Sequence, residues 1–197
     1  KKQDGWKYAK RLTSIVKQAD PTRLVTVGLS DYPHFVQSKI AEEVDIVGLN
    51  YKATEYGDLI KQYPDKPILG TETSSVVSTR GEYHFPVKPL EKHPSKYVSS
   101  YDMYAPYWAY IPDIEWDELD KNPEVMGEFI WTGFDYLGEP TPYGGRDHGD
   151  KFYWNADWPA RSSSFGAVDL AGFEKDRFYM YQSRWTTKPM VHVLPHW

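Results

Sequence analysis

The chain has 197 residues, 40% of them hydrophobic and 26% charged, a composition that fits one globular domain with an ordinary core. Its net charge of −5 disfavours nucleic acid or an anionic membrane surface as partner, since both need a basic patch. No apolar run reaches the ~18 residues of a membrane span, and the lack of cysteine excludes a thiol nucleophile, a thiolate metal site and disulfides.

Trp6, Ala9, Leu12, Ile15 and Val16 recur at helical spacing until Pro21 stops the pattern. A β-rich run from Leu24 to Leu29 follows. Asp31-Tyr32-Pro33 then starts a second predicted helix, with Val36, Ile40, Ala41 and Val44 on its buried face. Val44 to Tyr51 reads as the next strand, and Leu59, Ile60 and Tyr63 as a short helix closed by Pro64 and Pro67. After a third strand at Ile68 to Glu72, prolines interrupt the pattern from Ser78 to Pro123. A long loop is expected there, with helices over Ser95–Tyr104 and Trp116–Leu119; a connection of that length in a compact domain points to function. Val125 to Trp131 is the fourth strand. A polar, Gly-rich loop runs from Gly138 to about Ser164, Phe165 to Asp169 is short and extended, and Phe173–Trp185 is a last helix. Pro189 to Leu194 reads as a strand that starts something new.

Apolar strands alternating with helices mean an α/β chain with a parallel sheet covered by helices. The four strand–helix units are half of what a complete (β/α)8 barrel of roughly 250 residues contains. The stretch that organises them is Lys66-Pro67-Ile68-Leu69-Gly70-Thr71-Glu72-Thr73-Ser74-Ser75. Ile68 and Leu69 suit a buried strand, and a carboxylate is presented where that strand should end, just before turn residues. A parallel barrel carries its chemistry at the carboxyl ends of its strands, so Glu72 is a candidate catalytic group. A surface glutamate closing an ordinary strand is the plain alternative.

Three strand ends, in this order, resemble the second half of the catalytic barrel of glycoside hydrolase family 2, whose members include β-galactosidases, β-glucuronidases and β-mannosidases. Asp45-Ile46-Val47-Gly48-Leu49-Asn50-Tyr51 is similar to the sixth strand, Ile68-Leu69-Gly70-Thr71-Glu72 to the seventh, and Gly127-Glu128-Phe129-Ile130-Trp131 to the eighth. The resemblance runs roughly from Trp6 to Trp185. Ser163-Ser164-Phe165-Gly166, Gln182-Ser183-Arg184-Trp185 and the loop Gly138-Glu139-Pro140-Thr141-Pro142-Tyr143 are similar to the β-galactosidases of gut-type bacteria. The implied fold is the second half, about strands 5–8, of a (β/α)8 TIM barrel over residues 1–188. The start of a following β-sandwich domain is implied at 189–197.

The resemblance implies a retaining exo-β-glycosidase that hydrolyses terminal β-linked sugars, first of all β-galactosides, through a covalent glycosyl-enzyme intermediate. It makes Glu72 the nucleophile, which must be ionised to act, and Tyr51 the hydrogen-bond donor beside it. Asn50 could serve a sugar hydroxyl, Trp131 could stack on a pyranose, and Asp135 and Glu139 would line the mouth. For each, an ordinary packing or turn role is the competing reading, and mid-strand Glu128 reads as structural. The second carboxylate of the mechanism lies in an Asn-Glu pair in the family. No such pair occurs here, so the acid/base is expected upstream of Lys1. Two departures bear on sugar contacts: Ser74 and Ser75 follow the nucleophile where larger β-galactosidases carry a His, and Phe165 precedes Gly166 where they carry an Asn.

No organic cofactor is implied, with room for a divalent or monovalent metal ion near the site. Asp147, His148, Asp150, Asn155 and Asp157 crowd one loop but fit no calcium-loop spacing, and a solvated loop is the better reading. The expected partners are a carbohydrate substrate, the other half of the barrel with its flanking β domains, and room for a homo-oligomer. Nucleic acid and membrane insertion are not expected. A periplasmic or secreted bacterial location is favoured, with a cytoplasmic one open. A non-catalytic carbohydrate-binding protein, a β-glucuronidase or a β-mannosidase remain alternatives, and a doubly wound α/β domain is a more distant one.

Overall fold

The structure is a computed structural model, described here for residues 4–85, 94, 97–137 and 162–194. The chain divides into two compact units. The first is Lys1–Thr73 with Pro112–Ile130, and the second is Ser74–Ile111 with Trp131–Trp197.

The first unit holds α1 (Gly5–Ala19), β1 (Thr26–Leu29), α2 (His34–Gln37), β2 (Ile46–Asn50), α3 (Tyr56–Gln62), β3 (Ile68–Thr73), α4 (Pro112–Lys121) and β4 (Val125–Ile130), with short 3-10 turns at Ile40–Glu43 and Ala53–Glu55. The four strands form one sheet in the order β1-β2-β3-β4, every pair parallel. All five residues of β2 are buried, as the continuous apolar run Ile46-Val47-Gly48-Leu49 demands of a strand covered on both faces. Gly48 is required there: a methyl group on it would stand 2.6 Å from the Val27 carbonyl oxygen and 2.7 Å from Thr71 Cγ2. Val47, Leu49, Ile68, Tyr56 and Leu59 form the interior between sheet and helices.

Two expectations for this unit change. The second predicted helix is broken into α2 and the Ile40–Glu43 turn, because Lys39 lies between them at φ 59°, in the left-handed region. The first helix forms as predicted, with Trp6 and Ala9 half-buried, but its later apolar residues are not covered: Leu12 is 60% exposed and Ile15 51%.

In the second unit the regular element among the described residues is α5 (Asp176–Trp185), accompanied by isolated bridges such as Phe134 with Val168. Its core is Val77, Val98, Tyr104 and Phe165, with Trp108, Trp131 and Tyr136 packed against them. The helix expected over Ser95–Tyr104 does not form across 97–104. Its carbonyls serve other backbone instead, with Val98 O accepting from Thr79 N–H and Tyr104 O from Val77 N–H. The last helix starts at Asp176 rather than Phe173, since the Phe173 amide is bound by Asp169 Oδ1 at 2.9 Å. The strand expected over Pro189 to Leu194 is absent from the described residues. The His192 ring instead stacks on Tyr179, centroids 4.1 Å apart, and bonds Asp176 at 2.6 Å.

Two buried cations tie the second unit together. Lys175 Nζ reaches Asp135 Oδ1 (2.7 Å) and the carbonyls of Ser78 and Ser164. Arg177 reaches Asp102, the Phe165 carbonyl and the Ser78 hydroxyl. Burial lowers the Lys175 amine to about 8, against the opposing pull of Asp135. A buried charge is tolerable only when paired and fully bonded, and both of these are.

Candidate active site

The carboxyl ends of β2 and β3 bring Tyr51 and Glu72 together. The Tyr51 hydroxyl donates to Glu72 Oε2 at 2.6 Å, and the Tyr51 backbone N–H donates to the Glu72 carbonyl at 2.9 Å. Tyr51 leaves its strand at φ 55°, a left-handed conformation that costs a non-glycine residue of order 1–3 kcal/mol. Both groups are half-buried, so the carboxylate is held yet open to solvent. A phenol of this geometry fixes one oxygen of the carboxylate and leaves the other free to react.

The strand register explains why Glu72 is presented. Leu49 pairs with Gly70 and Asn50 with Glu72, while Gly70 pairs with Glu128 and Thr73 with Ile130. On both sides β3 contributes one residue more than its neighbour. This is a bulge, the device that re-aims a side chain at a strand end. Gly70 and Thr73 consequently share one face, where a methyl group on Gly70 would meet Thr73 Cγ2 at 2.7 Å. The Thr71 hydroxyl, in the bulge, donates to Asn50 Oδ1 at 2.6 Å. Asn50 is 9% exposed and lies over Gly28, whose missing side chain leaves the room; a methyl group there would stand 2.8 Å from Asn50 Oδ1. Its carbonyl oxygen is therefore engaged by Thr71, and its amide nitrogen is the end left to offer a ligand.

Behind the bulge stands a second layer of polar contacts that sequence reasoning missed. The buried Thr73 hydroxyl donates to Glu128 Oε2 at 2.6 Å, and Glu128 Oε1 accepts from Trp116 Nε1–H at 2.9 Å. Beside Gly70, the Tyr56 hydroxyl donates to the fully buried Glu115 at 2.6 Å. Burial, and then the charge of Glu115, push the Tyr56 phenol well above its ordinary range and keep it a donor. The one readable sign of this layer was Glu128 itself, a carboxylate inside an otherwise apolar strand.

No family model matches the chain. It is 38% identical to the β-galactosidase BoGH2A of Bacteroides ovatus, an alignment covering 95% of this chain and 22% of that protein. Its fold is similar to a β-glycosidase from Bacteroides vulgatus, with TM-score 0.70 and 31% identity over 97% of this chain and 25% of the other. A glycosyl hydrolase family 2 member from Bacteroides cellulosilyticus shares the fold at TM-score 0.61 and 23% identity, over 96% of this chain and 20% of its own. The first two are β-glycosidases by name, and the last is a family 2 member. The chain spans about a fifth to a quarter of the length of these relatives.

Trp131 and Asp135, also singled out in the sequence, belong to the second unit. Trp131 is half-buried, packed on the Val77–Phe165 core and edge-on to Tyr136 with ring centroids 5.9 Å apart. Asp135 is turned inward: its Oδ1 accepts from Lys175 Nζ and from the Gly166 N–H at 2.8 Å. Burial raises the Asp135 carboxyl against the pull of Lys175. Its observed work is to brace the Ser164–Gly166 turn. Glu139 and the Asp147–Asp157 cluster lie outside the described residues. Among the described residues no group of three or more His, Asp or Glu side chains is arranged to hold a metal ion, and no helix is long and apolar enough to cross a membrane.

Proposed function

We propose that this chain is the second half of a (β/α)8 barrel in a retaining exo-β-glycosidase, acting on terminal β-linked sugars with β-galactosides foremost. The observation that carries this reading is the Tyr51–Glu72 pair at adjacent parallel strand ends, with the bulge in β3 turning the carboxylate out. In the proposed reaction Glu72 attacks the anomeric carbon, the glycosidic C–O bond breaks, and the leaving oxygen takes a proton from a general acid about 5–5.5 Å from Glu72. Water then cleaves the glycosyl ester with the same acid now acting as base. That acid stands on a strand contributed by the rest of the parent chain, as the lack of an Asn-Glu pair in these residues suggests. Likeness to the B. ovatus β-galactosidase supports galactose as the sugar. The parent's first barrel half and a following β-rich domain are the proposed intramolecular partners, and Asn50 and Trp131 the proposed sugar contacts.

The test is trapping. Incubated with a 2-deoxy-2-fluoro-β-galactoside, the parent enzyme should form a covalent adduct that peptide mapping places on Glu72. Glu72→Gln, nearly identical in shape, should fold and lose turnover by several orders of magnitude. A label on another residue, or near-normal turnover in the variant, would end the assignment.

A further inference from the structure

We infer that Glu128 is a positioning residue for Glu72, acting through the hydroxyl of Thr73. The inference rests on Glu72 being the nucleophile, and it assigns a role in the reaction to a carboxylate that never touches the sugar.

Thr73 follows Glu72 directly and, 0% exposed, points to the opposite face of the strand. Any rotation of the backbone at Thr73 therefore swings Glu72 on the other side. A regular strand would resist such rotation through its ladder of hydrogen bonds, but here that ladder is interrupted on both sides by the bulge. Side chains must supply what the ladder does not. The Thr73 hydroxyl is fastened to Glu128 Oε2 and lies 3.4 Å from the Phe129 carbonyl; Glu128 is fastened in turn to Trp116 of α4. Both Glu128 oxygens are occupied by donors, so the carboxylate bridges helix and strand and cannot follow Thr73 if Thr73 moves. At the other end of the bulge Gly70 lies against Tyr56 and Glu115. Glu72 thus sits on a short irregular arch clamped at both feet from behind, with the Tyr51 hydroxyl in front. Neutral packing alone would not need an ionisable group in this place. A carboxylate accepts two directional bonds at once, which an apolar side chain of equal size cannot do.

The experiment uses the full-length parent enzyme and the nitrophenyl β-glycoside it cleaves, together with the matching 2-deoxy-2-fluoro sugar. Thr73→Val keeps the shape and removes the hydroxyl, Thr73→Ser keeps the hydroxyl, and Glu128→Gln replaces one acceptor by a donor. A displaced reacting group costs about 100-fold in rate for a shift near 1 Å. Thr73→Val and Glu128→Gln should therefore lower kcat by about 10- to 100-fold with KM within about twofold, and slow the labelling of Glu72 by a like factor. Thr73→Ser should restore most of both. A wild-type kcat in folded Thr73→Val overturns the inference, and so does an equal fall in Thr73→Ser and Thr73→Val. If Glu128→Gln fails to fold, the two Thr73 variants still decide. A wild-type label found away from Glu72 defeats the nucleophile assignment itself; a label on Glu72 with an unchanged trapping rate in Thr73→Val defeats the positioning role alone.

Discussion

Tyr51 grips Glu72 at two points, with its backbone N–H on the Glu72 carbonyl at 2.9 Å and its phenol on Oε2 at 2.6 Å. The first bond holds the strand end and the second aims the carboxylate, so the two can be separated by mutation. Tyr51→Phe removes the second alone. A hydrogen bond to a charged group contributes about 1.5–3 kcal/mol. The parent's kcat should fall by about 10- to 150-fold, with the melting temperature little changed because the ring and the backbone bond remain. An unchanged kcat in the folded variant would show that the phenol does not orient Glu72.

The strand ends that carry Tyr51 and Glu72 were legible because apolar strands end visibly, and the family resemblance put the two side by side. Ile46-Val47-Gly48-Leu49 gives way to Asn50-Tyr51, and Ile68-Leu69 to Gly70-Thr71-Glu72, so the apolar character runs out where each strand nears its end. The bulge was not legible, since Gly-Thr-Glu-Thr reads equally well as a regular strand, and register is settled by neighbours rather than by local propensity. Nor was the Thr73–Glu128 bond, whose partners are 55 residues apart in sequence. The second helix failed as a prediction for a different reason. Val36, Ile40, Ala41 and Val44 do hold helical spacing, but Lys39 adopts a left-handed conformation that no periodicity reports. Asp135 was read as lining the mouth because the sequence showed its charge and not its counter-ion, Lys175, forty residues on.

The Asp176 carboxylate offers a pH test of the second unit. Burial would raise it, but hydrogen bonds from Ser100, His192 and Tyr83 outweigh that and hold it below its ordinary value. A group whose folded value is depressed stabilises the fold at pH above its unfolded value, about 3.9, and loses that contribution as pH falls through the folded value. Asp176→Asn should therefore destabilise the parent at neutral pH, by about 1–3 kcal/mol for a lost charged acceptor. The gap from wild type should narrow steadily below about pH 4. Denaturant unfolding followed across pH 2–7, or exchange of amides in α5, would measure it. A gap that stays constant with pH would mean that Asp176 contributes by shape and not by charge.

The chain taken by itself should neither stay monomeric nor hydrolyse a glycoside. The sheet order leaves β1 and β4 as edge strands among the described residues, each with a row of backbone donors and acceptors and no neighbour on one side. Such edges are templates for pairing with another chain. The apolar groups around them are open as well: Phe129 and Met126 on β4, Val27 on β1, and Leu12 and Ile15 on α1 are all exposed. Purified alone, the 197 residues should therefore form oligomers or aggregate at micromolar concentration, as sedimentation would show. Met126→Lys with Phe129→Lys should reduce that association, because charge on an edge strand opposes pairing. Hydrolysis should be absent in either form, since Glu72 would have no second carboxyl group about 5.5 Å away to protonate the leaving oxygen. Adding the parent's first barrel half should restore turnover if the two halves close around Glu72. A soluble monomer that cleaves nitrophenyl β-galactoside, and loses that activity on Glu72→Gln, would put the general acid within these 197 residues and overturn the assignment of that acid to the rest of the parent chain.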